Sequence, residues 1–370
     1  MSLRRDGRAV ECTGLENRQG LIPFQGSNPC PSTRFTNSLM PNKFLKKNSC
    51  FYIYAPANYA TGGPELCHQL AYKLKTKGLN VKMLYYGDHE DSPVHPNYAR
   101  YQIPYVTKLD KNIESVAIVP EIFADDIHLI RSKYKIIWWQ SVDNYFLASK
   151  KTWHRVINKF LLIYLKNQNF LFFNKKVKKA DWHFSQSRYS YDFLMSKGIR
   201  NISMLSDYID KKILEFNFSD TKKQDIVTYY SKQNINTISK IKSFCKSIKF
   251  IEIKGMTRGE VIDLLSKSKV YIDFGNHPGK DRLPREAAIL GNIVITGSLG
   301  SASNEIDISI PKKYKFNDKK LELTKVYKTI QYALLSHKDT YSDFSNYVRK
   351  IKKEEETFDT EIEKIFLNCL

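Results

Sequence analysis

The densest run of chemically capable side chains lies between Asp273 and Gly291, reading DFGNHPGKDRLPREAAILG. An apolar run ends at Phe274, and glycines, His277, Lys280 and Arg282 follow. Pro284 suits the first turn of a helix, which places Arg285 and Glu286 in that turn. A helix N-terminus offers unpaired N–H groups and the positive end of the dipole. With Lys280 and Arg282 beside it, that terminus makes an anion site suited to a diphosphate. Glu286 can accept hydrogen bonds from ribose hydroxyls. The plain alternative is that Glu286 only complements the helix dipole and Lys280 is a solvated loop charge.

Two further segments carry candidate chemistry. Thr61-Gly62-Gly63-Pro64-Glu65 follows an apolar run, and Gly62 and Gly63 allow a ligand to approach the backbone closely. Trp138-Trp139-Gln140-Ser141-Val142-Asp143-Asn144-Tyr145 sets aromatic rings beside a carboxylate, which suits stacking on a sugar and activating a hydroxyl. Asp143 is the candidate base for that hydroxyl. The competing reading makes at least one tryptophan a core residue. There is no GxGxxG, GxxxxGK[ST] or GxSxG motif, which points away from nicotinamide enzymes, phosphate-loop kinases and α/β-hydrolases. Asp88–Asp91 (DHED) is acidic without supporting features, so no metal ligand set or cofactor is expected, and the six cysteines lack zinc spacing.

These segments need a scaffold, and the pattern supplies one. From Cys50 onward, short apolar runs alternate with helical periodicity, the signature of βαβ units around a parallel sheet. Strands are expected at Cys50–Ala55, Val81–Tyr86, Ser115–Pro120, Lys135–Trp139 and Trp182–Ser187. A helix is expected over Pro64–Thr76, with Leu66, Leu70 and Leu74 on one face and Gly78 ending it. A second unit opens at Asp225–Tyr230, with strands at Phe250–Ile253, Val270–Phe274 and Ile293–Thr296 and helices at Ile235–Ser247, Arg258–Ser268 and Pro284–Leu290. The expectation is an α/β protein of two Rossmann-like domains, residues 40–217 and 218–335, facing across a cleft, with a helical tail over 336–370.

At this point the sequence resembles the GT-B glycosyltransferases that use nucleotide-sugar donors. PREAAILGNIVITG, residues 284–297, is similar to their donor-site pattern, and GSLGSASNE, residues 297–305, resembles the loop that follows. The resemblance implies that Glu286 contacts the donor ribose, that Ser301 lies near the donor, and that Lys232, after Tyr229-Tyr230-Ser231, grips the phosphates. Retaining members carry a second glutamate eight positions before the helix glutamate. Here that position is Pro278, with His277 next to it as a candidate substitute, so retention and inversion both stay open, with Asp143 the candidate base if the reaction inverts. The implied partners are a nucleotide-sugar donor and a saccharide or lipid-linked acceptor. ADWHFSQSRYSYDFL, residues 180–194, has the family's look, and Ser187 and Arg188 either line the cleft or cap a helix.

The net charge is +21, mostly from lysines spread along the chain. Such a surface attracts nucleic acid, anionic membrane or phosphorylated small molecules, and charge alone does not choose. The stretch Lys150–Lys179 mixes lysines with Trp, Phe, Leu and Ile, so it reads either as a patch for an anionic membrane surface or as a helix pair with solvated lysines. No nucleic-acid-binding signature is present, no apolar run reaches membrane-spanning length, and the cysteine usage fits a cytoplasmic protein, peripheral on the membrane if the patch is used.

Residues 1–39 are unlike the rest, rich in Arg, Gly, Pro and Ser without periodicity. Thr13–Arg18 and Gln25–Cys30 can each be encoded as an arm of a serine transfer-RNA gene, in the correct order. The expectation is a non-native extension with the authentic start at Met40. For the whole chain the expected function is sugar transfer from a nucleoside-diphosphate donor in surface-polysaccharide synthesis. The competing functions are a nucleotide-sugar epimerase on the same fold and a non-catalytic basic protein that binds nucleic acid or membrane.

Overall fold

A computed structural model describes residues 40–41, 44, 49–87, 91–109, 114–148, 173–216, 222–230 and 235–367. The extension 1–39, Lys232, and all but the end of the basic stretch Lys150–Lys179 lie outside the described residues, as does most of Asp88–Asp91.

The first sheet is built from β1 (Cys50–Pro56), β2 (Val81–Tyr86), β3 (Tyr105–Val106), β4 (Ser115–Pro120), β5 (Tyr134–Trp139), β6 (Trp182–Ser185) and β7 (Ile202–Met204). Their order is β3-β2-β1-β4-β5-β6-β7, and every neighbouring pair is parallel. In register, Ile53 lies against Met83 on one side and Ile118 on the other. Strands buried on both faces need near-continuous apolar sequence, and Phe51, Tyr52, Ile53 and Ala55 are almost wholly enclosed. Helices α1 (Gly62–Thr76), α2 (Val142–Leu147) and α3 (Arg188–Ser196) follow β1, β5 and β6. Leu66, Leu70 and Leu74 of α1 are buried on one face, and Gly78 takes φ +81° just past the helix end. A short helix α4 (Lys211–Leu214) leads to the second unit.

There β8 (Gln224–Tyr229), α5 (Ile235–Phe244), β9 (Lys249–Glu252), α6 (Arg258–Lys267), β10 (Ser268–Asp273), β11 (Asn276–His277), α7 (Arg282–Ile289), β12 (Ile293–Thr296) and β13 (Leu299–Gly300) succeed one another. Four of these strands form a parallel sheet in the order β12-β10-β8-β9, and β11 pairs with β13. Both sheets are thus parallel, as alternating strand and helix patterns require.

The tail is shared between the two halves. Helices α8 (Leu323–Leu335), α9 (His337–Ser342) and α10 (Ser345–Lys352) join the second core through Val326, Ile330, Phe344 and Ile351. Helix α11 (Glu354–Ile362) and the turn after it cross back, and Phe358, Ile362 and Phe366 join the first core. The Phe366 ring meets Phe51 edge-on at 5.5 Å.

Several local expectations change, among them the start of α1, which takes in Gly62 and Gly63 ahead of Pro64. Helix α7 begins at Arg282, two residues before Pro284, because a proline anywhere in the first turn removes only an N–H that has no helical partner. Trp138 and Trp139 are both fully buried, so neither ring is open to a sugar. Their indole N–H groups donate to the Leu205 carbonyl at 3.0 Å and to His183 Nδ1 at 3.1 Å. Among the described residues, no helix is long and apolar enough to cross a membrane.

Candidate functional site

The two halves meet where their strands end. The segment 276–280 of the second half docks on the 140–143 turn of the first. The Val142 N–H donates to the Pro278 carbonyl at 3.0 Å, and the Lys280 N–H donates to Gln186 Oε1 at 3.3 Å. The Asn276 amide also donates to the Asp143 carboxylate. Gly279 fits this junction because it lacks a side chain. A Cβ there would lie 2.2 Å from the Gln140 carbonyl oxygen, which no packing tolerates.

Beside this junction lies a cavity of about 430 Å³. Its walls include Gly62 and Gly63 from the first half and Gly279, Lys280 and Arg282 from the second. Gly62 and Gly63 are the first residues of the 15-residue helix α1, and the Thr61 side chain does not cap it. Their N–H groups have no intrahelical partner, and the helix directs its positive end into the cavity. Arg282 faces this terminus, and a Cβ on Gly62 would sit 3.7 Å from its Cδ. The Arg282 guanidinium is held by neutral groups, the Tyr208 carbonyl at 3.1 Å and Gln69 Oε1 at 3.4 Å, with Asp207 only at 4.0 Å.

Carboxylates in the same walls are matched from behind. Asp207 takes Arg285 at 2.7 Å, Asp281 takes His277 Nδ1 at 2.8 Å, and Asp273 takes the Tyr271 hydroxyl at 2.7 Å. Burial alone would raise the Asp207 carboxyl, but the charges of Arg285, Lys280 and Arg282 outweigh it and hold the group below its ordinary value. Burial raises Asp273 to about 6 even with His277 pulling it down. Burial alone would lower the His277 imidazole, but the Asp273 charge and the Asp281 hydrogen bond overcome this and lift it to about 9. The geometry agrees, since Nδ1 faces Asp281 and Nε2 faces the Asp273 carbonyl at 3.3 Å, so both nitrogens act as donors.

Gly62, Gly63, Lys280 and Arg282 therefore come together at one cavity. Arg285 does not join them. It is fully buried, with Nη1 2.6 Å from Glu354 of α11 and Nη2 2.7 Å from Asp207. Lys280 touches the same cluster through Glu354 at 2.9 Å. The expectation that Arg285 reaches a ligand gives way to a structural role, tying the second half to the returning tail.

Glu286 is also buried behind the cavity, and Arg258 of α6 clasps both its oxygens, with Nη1 2.7 Å from Oε2. His277 and Ser301 are buried in the β11–β13 region, where the Ser301 hydroxyl donates to the Gly279 carbonyl and supports the loop from beneath. Asp143 is engaged by Asn276 and is absent from the cavity walls, whereas its neighbours Ser141 and Asn144 line them. Ser187 caps α3, accepting from the Ser190 N–H at 3.1 Å, and Arg188 pairs with Asp192. Asp207, Glu354, Arg258 and Gln140 were not singled out from sequence. Each acquires its place only through a contact distant in the chain. Among the described residues no group of three or more His, Cys, Asp or Glu side chains is set to hold a metal.

No family model matches the sequence, and no curated protein matches it either. Solved structures match in shape. HepE of Anabaena in complex with UDP superposes with a TM-score of 0.54 at 10% identity, covering 86% of this chain and 98% of its own. The fold is GT-B. Sucrose-phosphate synthase from Thermosynechococcus elongatus gives 0.53 at 11% identity, covering 85% of this chain and 98% of its own. The lipopolysaccharide outer core galactosyltransferase WaaB, in its apo form, gives 0.52 at 10% identity over the same shares. In this GT-B frame the cavity follows the carboxyl ends of β5, β8 and β10, the edge at which open parallel sheets take ligands.

Proposed function

We propose that this chain is a glycosyltransferase that moves a sugar from a nucleoside-diphosphate donor to a saccharide or lipid-linked hydroxyl, in surface-polysaccharide assembly. The observation that carries the proposal is the convergence of Arg282 on the open N-terminus of α1 at Gly62 and Gly63. A guanidinium hydrogen-bonded to neutral groups, with Asp207 at 4.0 Å, and a pair of N–H donors without helical partners, from opposite sides of a cleft, suit an anion that bridges them. A diphosphate has that shape and charge. HepE, of the same fold, holds UDP, and WaaB transfers galactose by its description.

In the reaction, the acceptor oxygen bonds to the anomeric carbon as the bond from that carbon to the diphosphate oxygen breaks. The electron pair leaves with the diphosphate, and the acceptor proton passes to a base. Arg282, Lys280 and the α1 terminus take up the developing negative charge, and this account requires no cofactor. Lys232 is placed here by resemblance as a further phosphate contact. Resemblance also places Glu286 at the ribose, from behind the cavity wall where Arg258 clasps it. Its two oxygens each give one lone pair to Arg258 and retain another for a hydroxyl.

Incubating the chain with UDP-, GDP-, CDP-, TDP- and ADP-sugars, with and without saccharide acceptors, tests the reaction. Acceptor-dependent release of one nucleoside diphosphate is expected. Isomerisation of the sugar nucleotide without release would replace the proposal with an epimerase.

A further inference from the structure

A second cavity, of about 540 Å³, opens beside the first and shares a wall with it at Gly62, Gly63, Gln140 and Asn144. Its chemistry differs. The first cavity has Lys280 and Arg282 in its walls, whereas the described residues lining the second include neither lysine nor arginine. Tyr54, Tyr59 and Tyr86 line it, with one acidic group, Glu121.

The tyrosines are fixed in different ways. Tyr54 and Tyr86 brace edge-on against the Phe123 ring at 5.8 Å and 4.6 Å. Tyr59 is 57% exposed on the loop after β1. That loop is pinned, since the Ala57 N–H donates to the Tyr86 carbonyl at 2.8 Å and the Asn58 N–H to the Pro93 carbonyl at 2.9 Å. Core packing does not account for a large ring held outward at the wall of a cavity.

Glu121 is buried at the start of the turn after β4, and its Oε2 accepts from the Gln140 N–H at 3.0 Å. It therefore positions the residue that divides the two cavities. Burial raises its carboxyl to about 7 against the hydrogen bonds that support the ionised form.

We propose that this second cavity binds the acceptor as an uncharged saccharide, with Tyr59 as its stacking face and Glu121 selecting against phosphorylated or otherwise anionic sugars. A sugar ring offers an apolar face to tyrosine and hydroxyls to Gln140 and Asn144, the mixture of aromatic lining and few polar groups that such pockets show. Above about pH 7, where Glu121 is ionised, an anion placed there meets a buried carboxylate, with no cation among the described lining residues to offset it. The shared wall sets its hydroxyls beside the ligand of the first cavity. The inference rests on the donor reading of that first cavity.

The test is equilibrium binding by the full chain, in the presence of its nucleoside diphosphate. The probes are 4-nitrophenyl glucoside, galactoside, mannoside and N-acetylglucosaminide, each compared with its 6-phosphate. At least one uncharged glycoside should bind about tenfold or more tightly than its 6-phosphate. Tyr59→Ala, at an exposed position, should weaken that binding about tenfold while leaving diphosphate affinity unchanged. Glu121→Gln should narrow the preference against phosphate, a readout that a purely structural role would not move. Equal or tighter binding of the 6-phosphates, indifference to Tyr59→Ala, or failure of every glycoside to bind overturns the inference. If a diphosphate still binds in those cases, the donor reading stands. If no diphosphate binds, it is the donor reading that fails.

Discussion

Arg258 grips Glu286 with both ends of its guanidinium, one nitrogen to each carboxylate oxygen, and so ties α6 to α7. Glu286 is almost fully enclosed, whereas Arg258 is half exposed. Removing the arginine leaves a buried carboxylate without its partner. Arg258→Ala should therefore cost about 1–3 kcal/mol, below the usual loss for a fully buried pair because water reaches the arginine. A lower urea midpoint at unchanged slope is the measurement. Arg258→Lys should recover only part of it, since an ammonium does not make the two-pronged contact.

The cluster of Arg285, Asp207 and Glu354 joins three segments far apart in the chain. Arg285→Leu should destabilise the fold by about 3 kcal/mol, because two buried carboxylates lose their common cation. The Asp207 carboxyl sits below its ordinary value of 3.8 in the fold. Its contribution is therefore fully present above that value and is lost as the pH falls through the folded-state one. Acid titration of stability should show this loss in the wild type and a smaller one in Asp207→Asn.

His277 works in the opposite direction. Its imidazole is lifted from 6.5 to about 9 by Asp273 and Asp281, against the effect of burial. A raised value stabilises the fold fully below the unfolded one, and the effect is lost as the pH rises through about 9. The steepest loss for one proton is about 1.4 kcal/mol per pH unit. Melting temperature should fall across this window in the wild type and fall less in His277→Asn.

Gly279 is the tightest point of the junction between the halves. A methyl group there would lie 2.2 Å from the Gln140 carbonyl oxygen, so Gly279→Ala has to push the loop away from the 140–143 turn. Since Lys280 and Arg282 follow directly, nucleoside-diphosphate affinity should drop about tenfold or more. Calorimetric titration of the variant against wild type checks this. An unchanged affinity would show that the loop does not set the site.

Much of this architecture was legible. Buried parallel strands have to be written as apolar runs, and Val81–Tyr86, Ser115–Pro120 and Ile293–Thr296 fell where the pattern put them. The convergence of Gly62, Gly63, Lys280 and Arg282 was also readable, because all four follow strands at one edge of their sheets. What sequence did not show is which charged residues spend themselves on one another. Arg285 and Glu286 are neighbours with the same local signal. Only the placement of Asp207 and Glu354 commits the Arg285 guanidinium to the fold, and only that of Arg258 shows which cation holds Glu286. Likewise nothing local distinguishes Trp138 and Trp139 as wholly core, since an aromatic pair at a strand end also suits a binding face.

The most direct test of the central claim is thermal unfolding of the full chain with UDP, GDP, CDP, TDP and ADP at equal concentration, in wild type and Arg282→Ala. A ligand at 100 times its dissociation constant adds about 2.7 kcal/mol to stability, which is readily seen as a rise in melting temperature. One diphosphate should stand out, and Arg282→Ala, which should itself remain folded, should abolish the rise. No shift with any diphosphate, alongside salt-sensitive stabilisation by RNA or anionic vesicles, would contradict it and make the chain a polyanion-binding protein.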